Sequence, residues 1–501
     1  MKRFVVFHHF FFALFFVLYL FSHNIEVASF NEVIFSLVVV LIFTLLLSAL
    51  FILIFRDKFK AGILTTFFLI LLFSYGHIYN FLLGQGLRYL HHRYLLLVWA
   101  ASFTGGFLYI INSERKLKNL NKFLNVISFI LLFFTLAQIG IYKLATRDFW
   151  SREVEVIQNR QVSPKKIDSR PDIFYIILDG YPNSNILKDL FGIDNQYFTN
   201  YLTKKGFYVV PRGHSNYVLT FLSLASSLNM QYINDFSNLI GEKSKDRAIP
   251  YKMIGDSAVV KFLKLQEYKF INISSGWGPT DYMQDADFNF RKTRLDEFTK
   301  LLISTTIFKP FMMYIAKDDK TIRLLYFVSI LPKIERISGP KFVFAHIITQ
   351  SLPRDQELEK LLREGSVSEK RLAALKYFTF INDNVEKAID YLISASKIPP
   401  VIILQADHGT REIAFAHPGE LQWDNLTDTM IRESTGILNA YYLPKEKHNF
   451  LYDSITPVNS FRLVFNLYFG TDHELLDDQS YYSTKELPYR FLKVTDRLKI
   501  D

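Results

Sequence analysis

Five apolar runs crowd the first 145 residues, at about 4–22, 31–55, 62–84, 94–112 and 123–144. Each approaches or exceeds the roughly 20 residues that a helix needs to cross a bilayer core. In hydrocarbon a segment must satisfy its own backbone polar groups, so such runs are expected as helices. The first run begins Met1-Lys2-Arg3, as a signal peptide would. No small-residue cleavage site follows it and four further runs do, so it reads as a retained helix.

Charge gives the orientation. The chain carries a formal +10, and up to residue 145 there are 12 Lys/Arg against 4 Asp/Glu. The basic excess therefore belongs to the apolar part, which argues against a nucleic-acid footprint and for membrane topology. With the N-terminus inside, the inner side holds nine cations: Lys2, Arg3, Arg56, Lys58, Lys60, Arg115, Lys116, Lys118 and Lys122. The outer loops hold Arg88 and Arg93. Five crossings then place everything after residue 145 outside, in an integral, multi-pass cell-membrane protein. Imidazoles occur near the membrane at His8, His9, His77, His91 and His92. The outer cluster Arg88, His91, His92 and Arg93 either meets lipid phosphate or is an ordinary interfacial loop.

Residues 146–170 are polar, with one short amphipathic stretch before Ser163-Pro164, and read as a juxtamembrane helix and linker. From Pro171 the pattern changes to short apolar strands alternating with helices. The expected strands are Ile173–Leu178, Phe207–Val210, Lys269–Ile273, Lys341–Ile348, Val401–Gln405 and Leu438–Tyr442. Helical segments include Ile186–Leu190, Asn195–Lys204, Ala258–Leu265 and Ala373–Ser394. Continuous apolar strands between helices predict a mostly parallel sheet covered on both faces. The expected fold is thus an N-terminal five-helix transmembrane bundle (1–145) followed by an α/β domain with a mostly parallel central sheet covered by helices (171–501).

In such sheets functional groups gather at the carboxyl ends of strands. One end reads Asp179-Gly180, a second carries His346, and a third reads Asp407-His408-Gly409-Thr410-Arg411. Asp and His suit zinc, manganese or magnesium, and Gly409 permits the sharp turn that brings adjacent Asp407 and His408 to one ion. The absence of Cys excludes Cys-ligated zinc, iron–sulfur centres and Cys nucleophiles. Thr220 precedes an apolar, Ser-rich helix. It is either that helix's cap or a nucleophile whose hydroxyl a metal activates.

Asp179-Gly180, Asn216-Tyr217 with Thr220, Ser223–Met230, Asp407-His408-Gly409 and Thr456–Arg462 together resemble the alkaline phosphatase superfamily. The similarity is to its membrane-bound, sulfatase-like branch, related to lipoteichoic acid synthase and phosphoethanolamine transferases, and covers roughly 171–475. The resemblance implies that Asp179, Asp407 and His408 ligate one divalent metal, Mn²⁺ or Zn²⁺ with Mg²⁺ as a further option. It implies that Thr220 is the metal-bound, transiently phosphorylated nucleophile and that Asn216 helps hold the substrate anion.

The chain departs from that branch at one place. Relatives often carry a Pro-His pair just after the strand holding His346, where this chain reads Ile347-Ile348-Thr349-Gln350-Ser351-Leu352-Pro353. His346 and His417 are the candidates to take over substrate contact, and Arg411 is a candidate anion clamp. The formylglycine signature of sulfatases is missing, since Thr220 is followed by Phe-Leu-Ser and Ser351-Leu352-Pro353-Arg354 places its Arg one residue early. The expected function is a membrane-anchored, metal-dependent phosphotransferase or phosphohydrolase at the outer face of the membrane. It would take a phospholipid or other phosphate-ester donor and a glycan or lipid acceptor. The rival expectation is a catalytically degenerate envelope protein with a binding or assembly role. A transporter fits less well, because five helices offer no paired inverted repeats.

Overall fold

The computed structural model describes residues 5–28, 30–87, 91–113, 117–158, 170–292, 295–316, 319–349, 367–410, 426–444 and 447–498. The chain forms two compact units. One comprises Met1–Glu155 with Leu295–Lys317, and the other comprises Val156–Arg294 with Asp318–Asp501.

The first unit contains α1 (His8–Ser22), α2 (Phe30–Phe55), α3 (Lys58–Gly84), α4 (His92–Ile111) and α5 (Lys118–Gln158). Four helices, α2 to α5, are long and apolar enough to cross a membrane, which makes this a membrane protein. The first of the expected five crossings is represented by a 15-residue helix, short for a full span. Its Ala13, Val17, Leu18 and Phe21 are buried with Val33, Leu69, Leu72 and Phe73. The α2–α3 corner is set locally, because the Asp57 carboxylate accepts the N–H groups of Phe59 and Lys60 at 2.7 and 3.4 Å. The expected juxtamembrane helix is a direct continuation of α5 rather than a separate element.

Two helices distant in sequence also belong to this unit, α12 (Glu297–Thr305) and α13 (Lys309–Ala316). The outer domain expected as one run from 171 is therefore interrupted. Phe298 and Leu302 join the core of α1 to α3, and a Cβ at Gly76 of α3 would collide with the Ser304 carbonyl oxygen.

The second unit is built on a seven-stranded sheet of order β2-β7-β6-β1-β5-β3-β4. The strands are β1 (Ile173–Leu178), β2 (Tyr208–Val209), β3 (Lys269–Ile273), β4 (Phe288–Phe290), β5 (Lys341–Ile347), β6 (Val401–Gln405) and β7 (Asn439–Tyr442). β1 runs parallel to β5 and β6, β3 runs parallel to β4 and β5, and β7 runs antiparallel to β2 and β6. The six strands read from the sequence are all present, and β4 is additional. The sheet is mostly parallel, as its continuous apolar strands predict.

Alternate side chains divide the two faces. Phe174, Ile176 and Leu178 pack with Phe327, Ile330, Phe378 and Ile389, from the helices α14 (Asp319–Glu335) and α15 (Val367–Ala395). On the other face Tyr175 and Phe342 meet Phe461 of α17 (Pro457–Phe469) edge-on, with centroids 5.0 and 5.8 Å apart. The same face carries α8 (Thr220–Asn229), whose Ser227 is 3.2 Å from the Tyr175 hydroxyl.

Candidate metal centre

Register and side-chain alternation assemble this site before any special contact is invoked. Ile177 pairs with His346 on β5 and with Gln405 on β6. Two residues further along, Asp179 and Asp407 fall on the same face as His346, at the carboxyl ends of β1 and β6. That is the face on which α8 lies.

The backbone turns sharply after both carboxylates. Gly180 has φ +69°, a conformation that favours glycine. Its N–H donates to Asp407 Oδ1 at 3.0 Å, which fastens one strand end to the other. A Cβ at Gly409 would strike the Glu433 carbonyl oxygen and lie 2.9 Å from that of Gly436. Only glycine fits, and the Gly409 N–H is held by the Ser434 carbonyl at 2.9 Å. Ser223 of α8 donates to the Asp407 carbonyl at 2.6 Å, tying the turn to the helix that carries Thr220.

His408 is buried, and its Nδ1 lies 2.7 Å from the Gly409 carbonyl oxygen. A carbonyl only accepts, so Nδ1 carries the proton and Nε2 presents a lone pair. That lone pair sits 3.0 Å from Thr220 Oγ1, 3.4 Å from Asp407 Oδ2 and 3.9 Å from Asp179 Oδ1. Thr220 is the first helical residue, Leu219 holds the cap position, and no side chain caps the helix. Of the two sequence readings of Thr220, side-chain capping is therefore not the one used. Its hydroxyl points to the imidazole.

Ligand atoms of Asp179, Asp407 and His408 all lie within 4.8 Å of one another, and all three residues are buried. Two carboxylates at such a separation repel by about 3–4 kcal/mol at an effective dielectric near 20. Asp407 Oδ2 has no hydrogen-bond donor among the described residues. Two hard oxygens, one imidazole lone pair and a buried acceptor without a donor fit a divalent cation, and the cluster could bind one.

Further residues surround this set. His346 Nε2 is 3.5 Å from Asp179 Oδ2 and makes no hydrogen bond among the described residues. Its Nδ1 is 2.9 Å from Thr280 Oγ1, and Trp277 stands edge-on to its ring at 5.5 Å. The Thr280 segment follows β3, so the carboxyl end of that strand is the sequence signal for it. Asn216 is committed to the scaffold. Its Nδ2 donates to Thr456 Oγ1 and the Gln479 carbonyl, both at 2.9 Å, and its Oδ1 accepts the Val458 N–H at 2.8 Å. A buried network beneath the site was also invisible in the sequence: Gln405 joins Tyr175, Asn439 and Ser460 at 3.0, 2.8 and 3.0 Å. Arg411, His417 and the Ser351–Pro353 stretch lie outside the described residues.

No family model and no curated relative matches the sequence. Solved structures do resemble it. One is the C-terminal periplasmic domain of EcEptC from Escherichia coli, with 10% identity, TM-score 0.43, and 65% of this chain and 94% of that one covered. A second is a protein in the alkaline phosphatase superfamily from Vibrio parahaemolyticus, at 12% and 0.38, covering 64% and 75%. A third is the integral membrane lipooligosaccharide phosphoethanolamine transferase A (EptA) from Neisseria meningitidis, at 13% and 0.35, covering 92% and 95%. These are likenesses of chain path.

Proposed function

We propose that this chain is a membrane-anchored, metal-dependent phosphotransferase or phosphohydrolase acting at the outer face of the membrane. The observation that carries the reading is the Thr220 hydroxyl 3.0 Å from His408 Nε2, at the edge of the Asp179–Asp407–His408 cluster.

In this reading Asp179, Asp407 and His408 hold one divalent cation, with zinc and manganese best suited to the mixed oxygen and nitrogen donors. When bound, the ion lowers the hydroxyl pKa of Thr220 and neutralises charge on the transferring phosphoryl group. Thr220 Oγ1 then attacks phosphorus in line with the leaving alcohol. The new Oγ1–P bond forms as the P–O bond to that alcohol breaks, and the proton lost from the Thr220 hydroxyl is made good on the departing alkoxide through solvent. The first-turn N–H groups of α8 favour the phosphoryl oxygens, since the helix starts at Thr220 itself. A second alcohol or water releases the group from Thr220. His346 is the residue we assign to substrate contact, and Asn216 acts indirectly by holding the segment before α8 to residues 456–479. A phospholipid headgroup phosphodiester is the donor we favour and a glycan or lipid the acceptor, because the apolar helices keep the chain where such headgroups lie.

The test is purified full-length protein with Zn²⁺ or Mn²⁺ and a model phosphodiester. Thr220→Ala should lose turnover by about 10³-fold or more, and Thr220→Ser should retain part of it. Undiminished turnover of Thr220→Ala removes Thr220 from the mechanism. Absence of both turnover and retained metal in the wild type favours the binding or assembly role instead.

A further inference from the structure

The helices α12 and α13 leave the second unit in sequence and enter the membrane unit in space, a placement that the reaction above does not require. Their seat is built for them. Ser304 and Thr305 pack where α3 has only the hydrogen of Gly76. Thr299 Oγ1 lies 3.0 Å from Ser36 Oγ, both buried, and Phe298 meets Phe21 edge-on at 6.4 Å. The Ile307 N–H donates to the Leu72 carbonyl at 3.1 Å. Leu72 is 14 residues into α3, roughly 21 Å from its inner end at 1.5 Å per residue. A bilayer core is about 30 Å thick, so a core beginning at the first turn of α3 would extend past the level of Leu72 and Ile307.

From that depth the chain rises to a cationic and aromatic cluster. Lys309 Nζ donates to Asn80 Oδ1 and stands 5.2 Å from the centroid of Tyr79. Tyr79 stacks on His92 at 3.9 Å, and His92 Nδ1 is 2.9 Å from the Tyr75 hydroxyl. Lys309 is half-buried, and an ammonium has three N–H donors. Phe308 and Phe311, its near neighbours in the chain, are 51% and 58% exposed, and Leu301 on α12 is 37% exposed. A cation at the ends of α3 and α4, with bare apolar side chains next to it, matches a molecule with an anionic head and acyl chains. It matches a free anion poorly.

We propose that Lys309, with Asn80, Tyr79 and His92, forms a binding site for the phosphate of an outer-leaflet phospholipid, whose acyl chains lie along Leu301, Phe308 and Phe311. A basic pocket between helix ends attracts anionic headgroups, and interfacial aromatic side chains suit the same depth. The site lies wholly within the membrane unit and does not rest on the chemistry assigned to Thr220.

The experiment uses full-length protein in detergent, in a Thr220→Ala background so that no turnover intervenes. Binding of dimyristoylphosphatidylglycerol is titrated by native mass spectrometry, with inorganic phosphate as competitor. Lys309→Ala should weaken lipid binding by about tenfold or more, and Lys309→Arg should keep it within about threefold. His92→Phe, which preserves the stack on Tyr79, should weaken it less than Lys309→Ala does. Lys60→Ala, a cation at the opposite helix ends, should leave it unchanged. Equal lipid affinity in Lys309→Ala and its parent overturns the site. Displacement of the lipid by inorganic phosphate at comparable concentration also overturns it, because the site would then recognise an anion and not a lipid.

Discussion

The two units solve opposite problems with the same apolar alphabet. In the membrane unit large apolar side chains face outward, with Leu53, Leu97 and Ile141 at 76%, 67% and 68% exposed. Its buried hydroxyls pair within a helix, as Thr65 does with the Ala61 carbonyl at 2.8 Å, or across helices, as Ser36 does with Thr299 at 3.0 Å. In the second unit the apolar side chains are inside. β1, β5 and β6 are buried along their whole length, and the polar groups at their ends converge without full mutual satisfaction. Lipid tolerates apolar exposure and penalises an unpaired polar group. Water penalises apolar exposure instead, and the like charges of the cluster, buried from it, are held together by the surrounding fold.

Removing one charge from that cluster should break the contrast most sharply. Asp407→Asn keeps an oxygen for the Gly180 N–H and places an amide where Oδ2 stood. We expect metal affinity to fall by about 100-fold or more and turnover by about 10³-fold. With chelator present the sign reverses. Carboxylate repulsion is relieved, and the variant should be more stable than the wild type by on the order of 1–3 kcal/mol, seen as a higher melting temperature. Calorimetry with and without chelator checks both halves. A variant less stable under both conditions would mean that the cluster is a structural network and not an ion site.

Glycines sharpen the comparison at smaller magnitude. Gly409→Ala sets a methyl group against the backbone of Glu433 and Gly436, neither of which can swing away. A loss of about 2–3 kcal/mol is expected, with weaker metal binding, because the turn that aims Asp407 and His408 must open. Gly140→Ala on α5 meets nothing within 4 Å and should be neutral or stabilising by up to about 1 kcal/mol. Thermal melts of the two variants side by side test this, and comparable losses would contradict the packing described for both units.

What could be read in the sequence follows the same division. The strands were legible because a fully buried parallel strand is a continuous apolar run, and the ends of β1 and β6 then pointed to Asp179, Asp407 and His408. Thr220 came from its place at a helix start, although its hydroxyl partner did not. The membership of α12 and α13 in the membrane unit was illegible. Phe298, Leu302 and Ile307 form an apolar stripe that demands a partner without naming it, and the decisive residue, Gly76, lies more than two hundred positions earlier. Thr280 and His346 likewise meet only through the β3–β5 register. The 15 described residues of α1 show that an apolar run bounds a helix without fixing its length.

The last effect concerns pH, and it belongs to the second unit. His214 is held down to about 4 by burial, with Arg432 and Arg212 adding to the depression. Unfolded, it titrates near 6.5. Between those values the unfolded chain binds more protons than the folded one, so stability rises with pH. The contribution is fully present above about 6.5, declines as pH falls, and is gone below about 4. The ring keeps partial exposure, which reduces the full linkage value to on the order of 2 kcal/mol. His214→Gln removes the titration. Its thermal midpoint should therefore fall less between pH 7.5 and pH 5 than that of the wild type. Parallel falls in the two proteins would show that the imidazole is already solvated in the folded state, and that the acid sensitivity of this unit arises elsewhere.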